Sequence, residues 1–257
     1  MNDKELIHKI SIITVCFNSE QYIHTALESV RGQTYHNIEY IIVDGNSSDN
    51  TLNVIKRYEP VFNGRMQWIS ESDKSLYDAM NKGIRIATGD IIGILNSDDV
   101  YCDPHTIEKV MNVFNKDNTL DAVYADLYYV SQIDTSHIVR KWITGKQKPF
   151  KSGWHPGHTA LFLKKKVYDD YGLYNLDFKL VADFELMLRV LDKYKIKAYY
   201  LPEYLVKMRL GGVTNKSLKN IWKQNIECIK AFSYNGLSVN KFLYPFYRIL
   251  PKLLQFK

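Results

Sequence analysis

Asn96-Ser97-Asp98-Asp99 closes the apolar run Ile91 to Leu95, and no stretch of this chain is better placed to do chemistry. Two adjacent carboxylates at the end of a buried strand lose several kcal/mol, roughly, on leaving water unless a cation stands beside them. Mg²⁺ or Mn²⁺ fits that need, because both favour carboxylate oxygens and keep positions for substrate phosphates. A solvated turn, or a cap for a helix opening at Pro104, is the alternative. Other phosphate and metal chemistries are excluded by what is missing. The first β-branched run, Ile10 to Val15, leads into Cys16-Phe17-Asn18-Ser19, with no glycine where a dinucleotide's pyrophosphate must approach the backbone. Gly145-Lys146-Gln147 lacks the upstream glycine and the Ser/Thr of a phosphate-cradling loop. Cys16, Cys102 and Cys228 lie far apart without a C-x-x-C pair, which speaks against a zinc ribbon or a disulfide framework and for a reducing compartment.

The elements that must position these acids follow from periodicity. Ile10 to Val15 reads as a buried strand; Tyr22, Ile23, Ala26, Leu27 and Val30 mark one face of a helix capped by Asn18 or Ser19 and ended by Gly32. Ile38 to Val43 is the second strand, Thr51 to Tyr58 the second helix, and Met66 to Ile69 the third strand. Ser75-Leu76-Tyr77-Asp78 has capping-box spacing for a third helix that closes at Gly89, before a fourth strand over Asp90 to Leu95. Alternating strands and helices predict a parallel sheet with crossover helices, whose ligands bind beyond the carboxyl ends of the strands. Asn18, Asp44 and Asn96 to Asp99 fall at those ends. After residue 100 the pattern changes. A helix opens at Asp103-Pro104, Ala122 to Val130 and His137 to Ile143 form an antiparallel pair, Thr144 to Gly157 is a loop, His158 to Leu163 is a strand, and Asp183 heads another helix.

The 257 residues, 46% hydrophobic and 24% charged, have the composition of a folded protein rather than a disordered one. The sequence has no run of 18 apolar residues, and its first nine residues are too polar for a signal peptide, so neither a transmembrane span nor secretion is expected. The net charge of +6 is concentrated: from Val213 onward eight basic residues face one acid, Glu227, which leaves the body near neutral and argues against a nucleic-acid groove. Ile221, Trp222, Asn225, Ile226, Ile229 and Phe232 predict one helical face edged by lysines. Phe242 to Leu254 mixes aromatics, leucines and cations without an acid. That composition suits an anionic membrane surface, the alternative being a helix packed on the body. The expected location is cytoplasmic, peripheral on the inner face of the cell membrane.

Five ordered blocks carry a resemblance: Ser11 to Asn18, Val43-Asp44-Gly45 through Thr51, Asp78 to Gly83, Ala87-Thr88-Gly89-Asp90, and Leu95 to Asp99. Over roughly residues 9 to 212 the chain resembles the family 2 glycosyltransferases, which use the nucleotide-sugar fold called GT-A. The Asp73 to Asp78 stretch is most similar to members of the colanic-acid type that build bacterial exopolysaccharide. The resemblance implies an α/β GT-A fold with a mostly parallel central sheet, a small antiparallel acceptor-side sheet and a C-terminal helical tail. It implies a domain over 1–212, its nucleotide-sugar half 1–100 and acceptor half 101–212, followed by a basic amphipathic tail over 213–257.

The same resemblance assigns roles. Thr14, Phe17 and Asp44 would meet the base, Asp44 accepting the N–H of a uracil-like ring, with Asp73 and Asn81 reaching the nucleotide as well. Asp98 and Asp99 would hold the Mn²⁺ or Mg²⁺ ion, Asp98 also touching ribose or diphosphate; Asn96 stands where the family often has the first Asp of an Asp-x-Asp triplet. Asp183 matches the base that takes a proton from the acceptor hydroxyl, with Ala182 where the family usually has Glu; on its own, Asp183 would equally read as a helix cap. His158 matches a position near the acceptor, and Gly211-Gly212-Val213-Thr214 a segment closing over the diphosphate, bringing Lys207 or Arg209 to phosphate. The implied reaction is inverting transfer from a UDP-sugar to a saccharide, lipid-linked acceptor included, in surface-polysaccharide synthesis. A sugar nucleotidyltransferase would need a Gly-rich loop after the first strand, which is missing. A catalytically silent binding or assembly protein would not need Asp44, Asp98, Asp99 and Asp183 intact.

Overall fold

The computed structural model describes residues 8–211 and 218–253. In chain order the elements are β1 (Ile10–Cys16), α1 (Ile23–Arg31), β2 (Ile38–Asp44), α2 (Thr51–Tyr58), β3 (Met66–Ser70), α3 (Leu76–Ile86), β4 (Ile91–Ile94) and β5 (Val100–Tyr101). The second half adds α4 (Thr106–Lys116), β6 (Ala122–Val130), β7 (Ile138–Trp142), β8 (Leu161–Lys164), α5 (Lys165–Tyr171), α6 (Ala182–Met187), β9 (Ala198–Arg209), α7 (Leu218–Tyr234) and α8 (Tyr244–Leu253).

All nine strands join one mixed sheet in the order β3-β2-β1-β4-β8-β6-β9-β5, with β7 paired to β6. Strands β3, β2, β1 and β4 are parallel, as their alternation with helices predicts. The reversed strand β8 lies between β4 and β6, antiparallel to both, so β6 and its parallel neighbour β9 run in the β1 direction. The expected β6–β7 antiparallel pair forms, and it is continuous with the central sheet. This strand order carries the carboxyl ends of β1, β2, β4, β6 and β9 to one edge.

Strand alternation divides the core. Ile13 and Val15 of β1 pack with Ile41 and Val43 against α3 and the α6 region, while Ile10 and Ile12 pack with Tyr40 and Ile42 against α1, α2 and α4. Both faces are covered, which is why these strands are almost uninterrupted apolar runs. Local punctuation differs from the sequence reading in three places. Helix α1 starts at Ile23 with no side-chain cap; Asn18 adopts φ 48° and Ser19 contributes only its backbone carbonyl. Helix α3 ends at Ile86, and Gly89 is needed for close packing instead, since a Cβ there would lie 2.6 Å from the Ser11 amide nitrogen. Residues 158–160 form a single helical turn before β8 rather than the start of a strand.

The C-terminal helices pack on the body: Cys228, Ala231 and Phe232 of α7 and Tyr244 of α8 are buried in the α6-side core. The apolar face expected for α7 is split, because Asn225 and Phe232 point inward while Trp222 and Ile226 face solvent. Polar partners rotate it this way: Asn235 donates to the buried Glu185 at 3.0 Å, and Asn225 accepts from Arg248 at 3.3 Å. Among the described residues no helix is long and apolar enough to cross a membrane.

Candidate active site

The loops at the carboxyl edge enclose a cleft of about 660 Å³. Three loops at this edge are tied together. Asn18, in the left-handed region that asparagine tolerates, accepts from the Ser48 amide at 2.9 Å, and the Ser19 and Ser97 hydroxyls meet at 3.0 Å. The loops after β1, β2 and β4 therefore hold one another.

Asp98 and Asp99 both line this cleft. Asp99 is fully buried; it accepts from Asn96 Nδ2 at 2.9 Å and from the Arg209 backbone amide of β9 at 3.2 Å. Burial, followed by the charge of Asp98, holds its carboxyl well above the usual range. Burial also raises Asp98, opposed by the Arg209 guanidinium and by His158. Asn96 Oδ1 is buried without a partner. Two carboxylates short of positive charge and an unsatisfied amide oxygen form a hard-oxygen donor set that fits Mg²⁺ or Mn²⁺. Among the described residues no three His, Cys, Asp or Glu side chains converge to hold a metal, so diphosphate and water oxygens would have to complete such a shell.

Across the cleft, Asp183 occupies the second position of α6. Its oxygens turn away from its own helix, which removes the capping role: Oδ1 accepts from Tyr77 Oη at 3.0 Å, and Oδ2 lies 3.5 Å from His158 Nδ1. Tyr77 comes from the first turn of α3, where Ser75 caps the helix by accepting from the Asp78 amide at 3.3 Å. Burial, then the charge of Asp183, pushes the Tyr77 phenol far up, so it remains a donor. The other ring nitrogen of His158 is 3.4 Å from Asn96 Nδ2. A continuous polar chain thus runs Tyr77–Asp183–His158–Asn96–Asp99 and links the two acidic ends of the cleft. Tyr77 was not legible as a site residue, because its spacing in α3 is that of a core position.

The remaining predicted residues divide. Phe17, 63% exposed, and Asp73 line the cleft, Asp73 held by Lys82 at 2.7 Å. Three others lie beneath the surface. Thr14 is buried and accepts from Tyr40 Oη at 3.0 Å. Asp44 is also fully buried, its oxygens accepting from Ser47, Ser70 and Cys16, so it shapes the end of β2 instead of offering a free acceptor. Asn81, expected near the nucleotide, is buried and bridges α3 to the backbone of Tyr174 through both amide atoms at 2.9 Å, and it does not line the cleft. Arg209 lines the cleft and Lys207 does not; Gly212 to Thr214 lie outside the described residues.

The family model Glycosyl transferase family 2 matches residues 11–172. An uncharacterized glycosyltransferase of Mycobacterium tuberculosis is 30% identical over 187 residues, which are 70% of this chain and 68% of that protein. A PGL/p-HBAD biosynthesis glycosyltransferase of Mycobacterium bovis is 26% identical over 80% of this chain and 78% of its own length. In fold, the chain is similar to Staphylococcus aureus TarS (TM-score 0.63, 15% identity), covering 92% of this chain but 41% of that one. It is likewise similar to the mannosyltransferase PcManGT of Pyrobaculum calidifontis, solved with GDP-Man and Mn²⁺ (TM-score 0.65, 15% identity, 93% of this chain and 68% of that one).

Proposed function

The chain belongs to glycosyl transferase family 2, and from that premise we propose that it is an inverting, divalent-metal-dependent enzyme moving a sugar from a nucleoside-diphosphate donor to a saccharide acceptor. The observation that carries this reading is one cleft with an under-neutralised acid pair, Asp98 and Asp99, on one side and a separately oriented carboxylate, Asp183, on the other. Asp98, Asp99 and Asn96 Oδ1 are the atoms that would hold Mn²⁺ or Mg²⁺, which supplies charge stabilisation to a departing diphosphate. Phe17 offers its exposed ring to the base, and Asp73 stands beside it at Gly45. Asp183 accepts the proton of the attacking hydroxyl, while Tyr77 and His158 fix both of its oxygens. Attack from the Asp183 side, opposite the leaving diphosphate, inverts the anomeric carbon.

A nucleotide-sugar donor is in keeping with the UDP-GlcNAc complex of TarS and the GDP-Man complex of PcManGT. UDP is proposed from the family resemblance, and a lipid-linked, surface-polysaccharide acceptor from the likeness of Asp73 to Asp78 to colanic-acid-type members. The division into a transferase domain over 1–212 and a tail over 213–257 belongs to the same proposal. The test is transfer from a panel of UDP- and GDP-sugars with and without Mn²⁺. Activity should vanish on chelation, and Asp183→Asn should lose roughly a thousandfold or more in turnover while still binding the nucleoside diphosphate. Full turnover by Asp183→Asn, or in the chelator, overturns the mechanism; nucleotide binding without turnover in the parent chain favours a binding protein.

A further inference from the structure

Arg248 is a buried cation to which the mechanism above gives no task. It lies on α8, 8% exposed, and forms part of the cleft wall with Gln224, Leu180, Val181 and Phe184. One Nη donates to Asn225 Oδ1 at 3.3 Å, and the guanidinium carbon stands 5.8 Å from the centre of the Phe184 ring. Asn225 presents its oxygen because its amide nitrogen donates to the Ile221 carbonyl at 2.9 Å. Nε of Arg248 is buried with no partner, and among the described residues no carboxylate forms an ion pair with this side chain. A guanidinium withdrawn from water without a counter-charge is costly, so an anion is the missing partner.

The fold seats α8 so that this side chain reaches the cleft. Tyr244, at the start of the helix, is fully buried, its ring 5.2 Å from Phe232 and 6.4 Å from Phe184. Gly153, at φ 82°, lets the loop after β7 rest on the helix backbone; a Cβ there would overlap the Tyr247 carbonyl and lie 2.8 Å from the Arg248 nitrogen. The cleft's other arginine, Arg209, is already directed at the Gln132 carbonyl and Thr25 Oγ1, at 3.1 and 3.2 Å, and its charge acts on Asp98 and Asp99. Arg248 instead shares a wall with Phe184, the residue after the proposed base.

We propose that Arg248 is the counter-charge of an acceptor subsite for an oxyanion, a phosphate or carboxylate borne by the sugar that enters on the Asp183 side. The planar fork of arginine matches the two-oxygen face that both groups share. This inference rests on the glycosyltransferase reading and adds the charge of the acceptor to it.

Isothermal titration of the full chain, saturated with nucleoside diphosphate and Mn²⁺, would compare glucose, glucose 6-phosphate and glucuronate as probes. At least one anion should bind ten-fold or more tightly than glucose, and which one identifies the group. Arg248→Gln should abolish that preference, and Arg248→Lys should keep part of it. Thermal melts report whether each variant folds; if the Gln variant does not, the Lys variant decides, a reduced preference supporting the subsite and an unchanged one overturning it. Equal affinity for all three probes, undetectable binding included, or a preference that survives in a folded Gln variant, overturns the proposal. Titration of the diphosphate itself tests the donor reading separately. An Arg248-dependent anion preference in a chain that binds no diphosphate would sink the donor reading and leave Arg248 an anion site without the role of acceptor subsite.

Discussion

Tyr77 illustrates how little of a site a single side chain reveals until its partner is known. It stands 106 positions from Asp183 in the chain, and its hydroxyl donates to Oδ1 of the proposed base at 3.0 Å. Its ring stacks on Tyr174, 5.6 Å between centroids, so removing only the hydroxyl leaves the packing in place. Tyr77→Phe should therefore lower kcat roughly ten- to hundred-fold through misorientation of Asp183, with KM for the donor little changed. Steady-state kinetics with the donor varied checks this, and an unchanged kcat would show the contact to be structural only. Asp98 and Asp99 stood out in the sequence because adjacent carboxylates at the end of an apolar strand need an external reason, whereas Phe17, Asp73, His158 and Asp183 were named from the family resemblance; all six line the cleft. Thr14, Asp44 and Asn81 fall next to the same strand ends and helices, yet their side chains are satisfied inward, and position along the chain does not encode that direction. Tyr77 and Arg248 were not singled out, since Tyr77 has the spacing of a core position in α3 and Arg248 reaches the cleft from a helix whose place depends on long-range packing; Arg209, named from the resemblance beside Lys207, does line the cleft.

Elements at the opposite edge of the sheet are held by one carboxylate. Glu39 of β2 accepts from Ser11 of β1, from the Thr88 amide at 2.8 Å and hydroxyl at 2.7 Å, and from Lys9 at 3.1 Å; Ser11 Oγ in turn accepts from the Gly89 amide at 2.9 Å. Burial alone would raise this carboxyl, but the hydrogen bonds from Ser11 and Thr88 and the Lys9 ammonium bring it down to about 2. A carboxyl lowered by folding contributes stability that is complete above its unfolded value of 4.5 and is lost as pH falls toward about 2. Glu39→Gln should cost about 1–3 kcal/mol at neutral pH, and the gap between variant and parent melting temperatures should narrow through that window. A gap that is constant with pH would deny the charge any part. This knot also explains the legibility of the fold. Strands β1 to β4 are short apolar runs between turn residues, so periodicity located them, whereas β5 is two residues long and β9 carries polar and aromatic residues along its whole length. Both are strands only because β6 supplies β9 with a partner and β9 supplies β5 with one, a tertiary fact absent from local pattern.

At the scale of the whole molecule, much of the positive charge after Val213 lies on or between α7 and α8, which serve two surfaces at once. Their inner side is committed to the body through Cys228, Phe232 and Tyr244, and to the cleft through Arg248. Their outer side leaves Trp222, Ile226, Phe242, Phe246 and Leu250 in solvent, with Phe242 87% and Phe246 68% exposed, beside the exposed lysines 223, 230 and 241. Exposed aromatic and cationic side chains suit anionic lipid, where each cation contributes on the order of 1 kcal/mol and loses it to salt. Membrane attachment is therefore proposed for the outer surface alone. Deleting residues 236 to 257 would confound it, since the deletion also removes Tyr244 from the core and Arg248 from the cleft. Replacing Phe242 and Phe246 together by Ser touches neither. That variant should melt with the parent chain yet partition onto phosphatidylserine vesicles at least about ten-fold less, because two aromatic side chains no longer enter the interface. Co-sedimentation at low and high salt measures it: weaker binding of the parent at high salt identifies the lysine contribution, and equal partitioning of variant and parent would show that the helices face water.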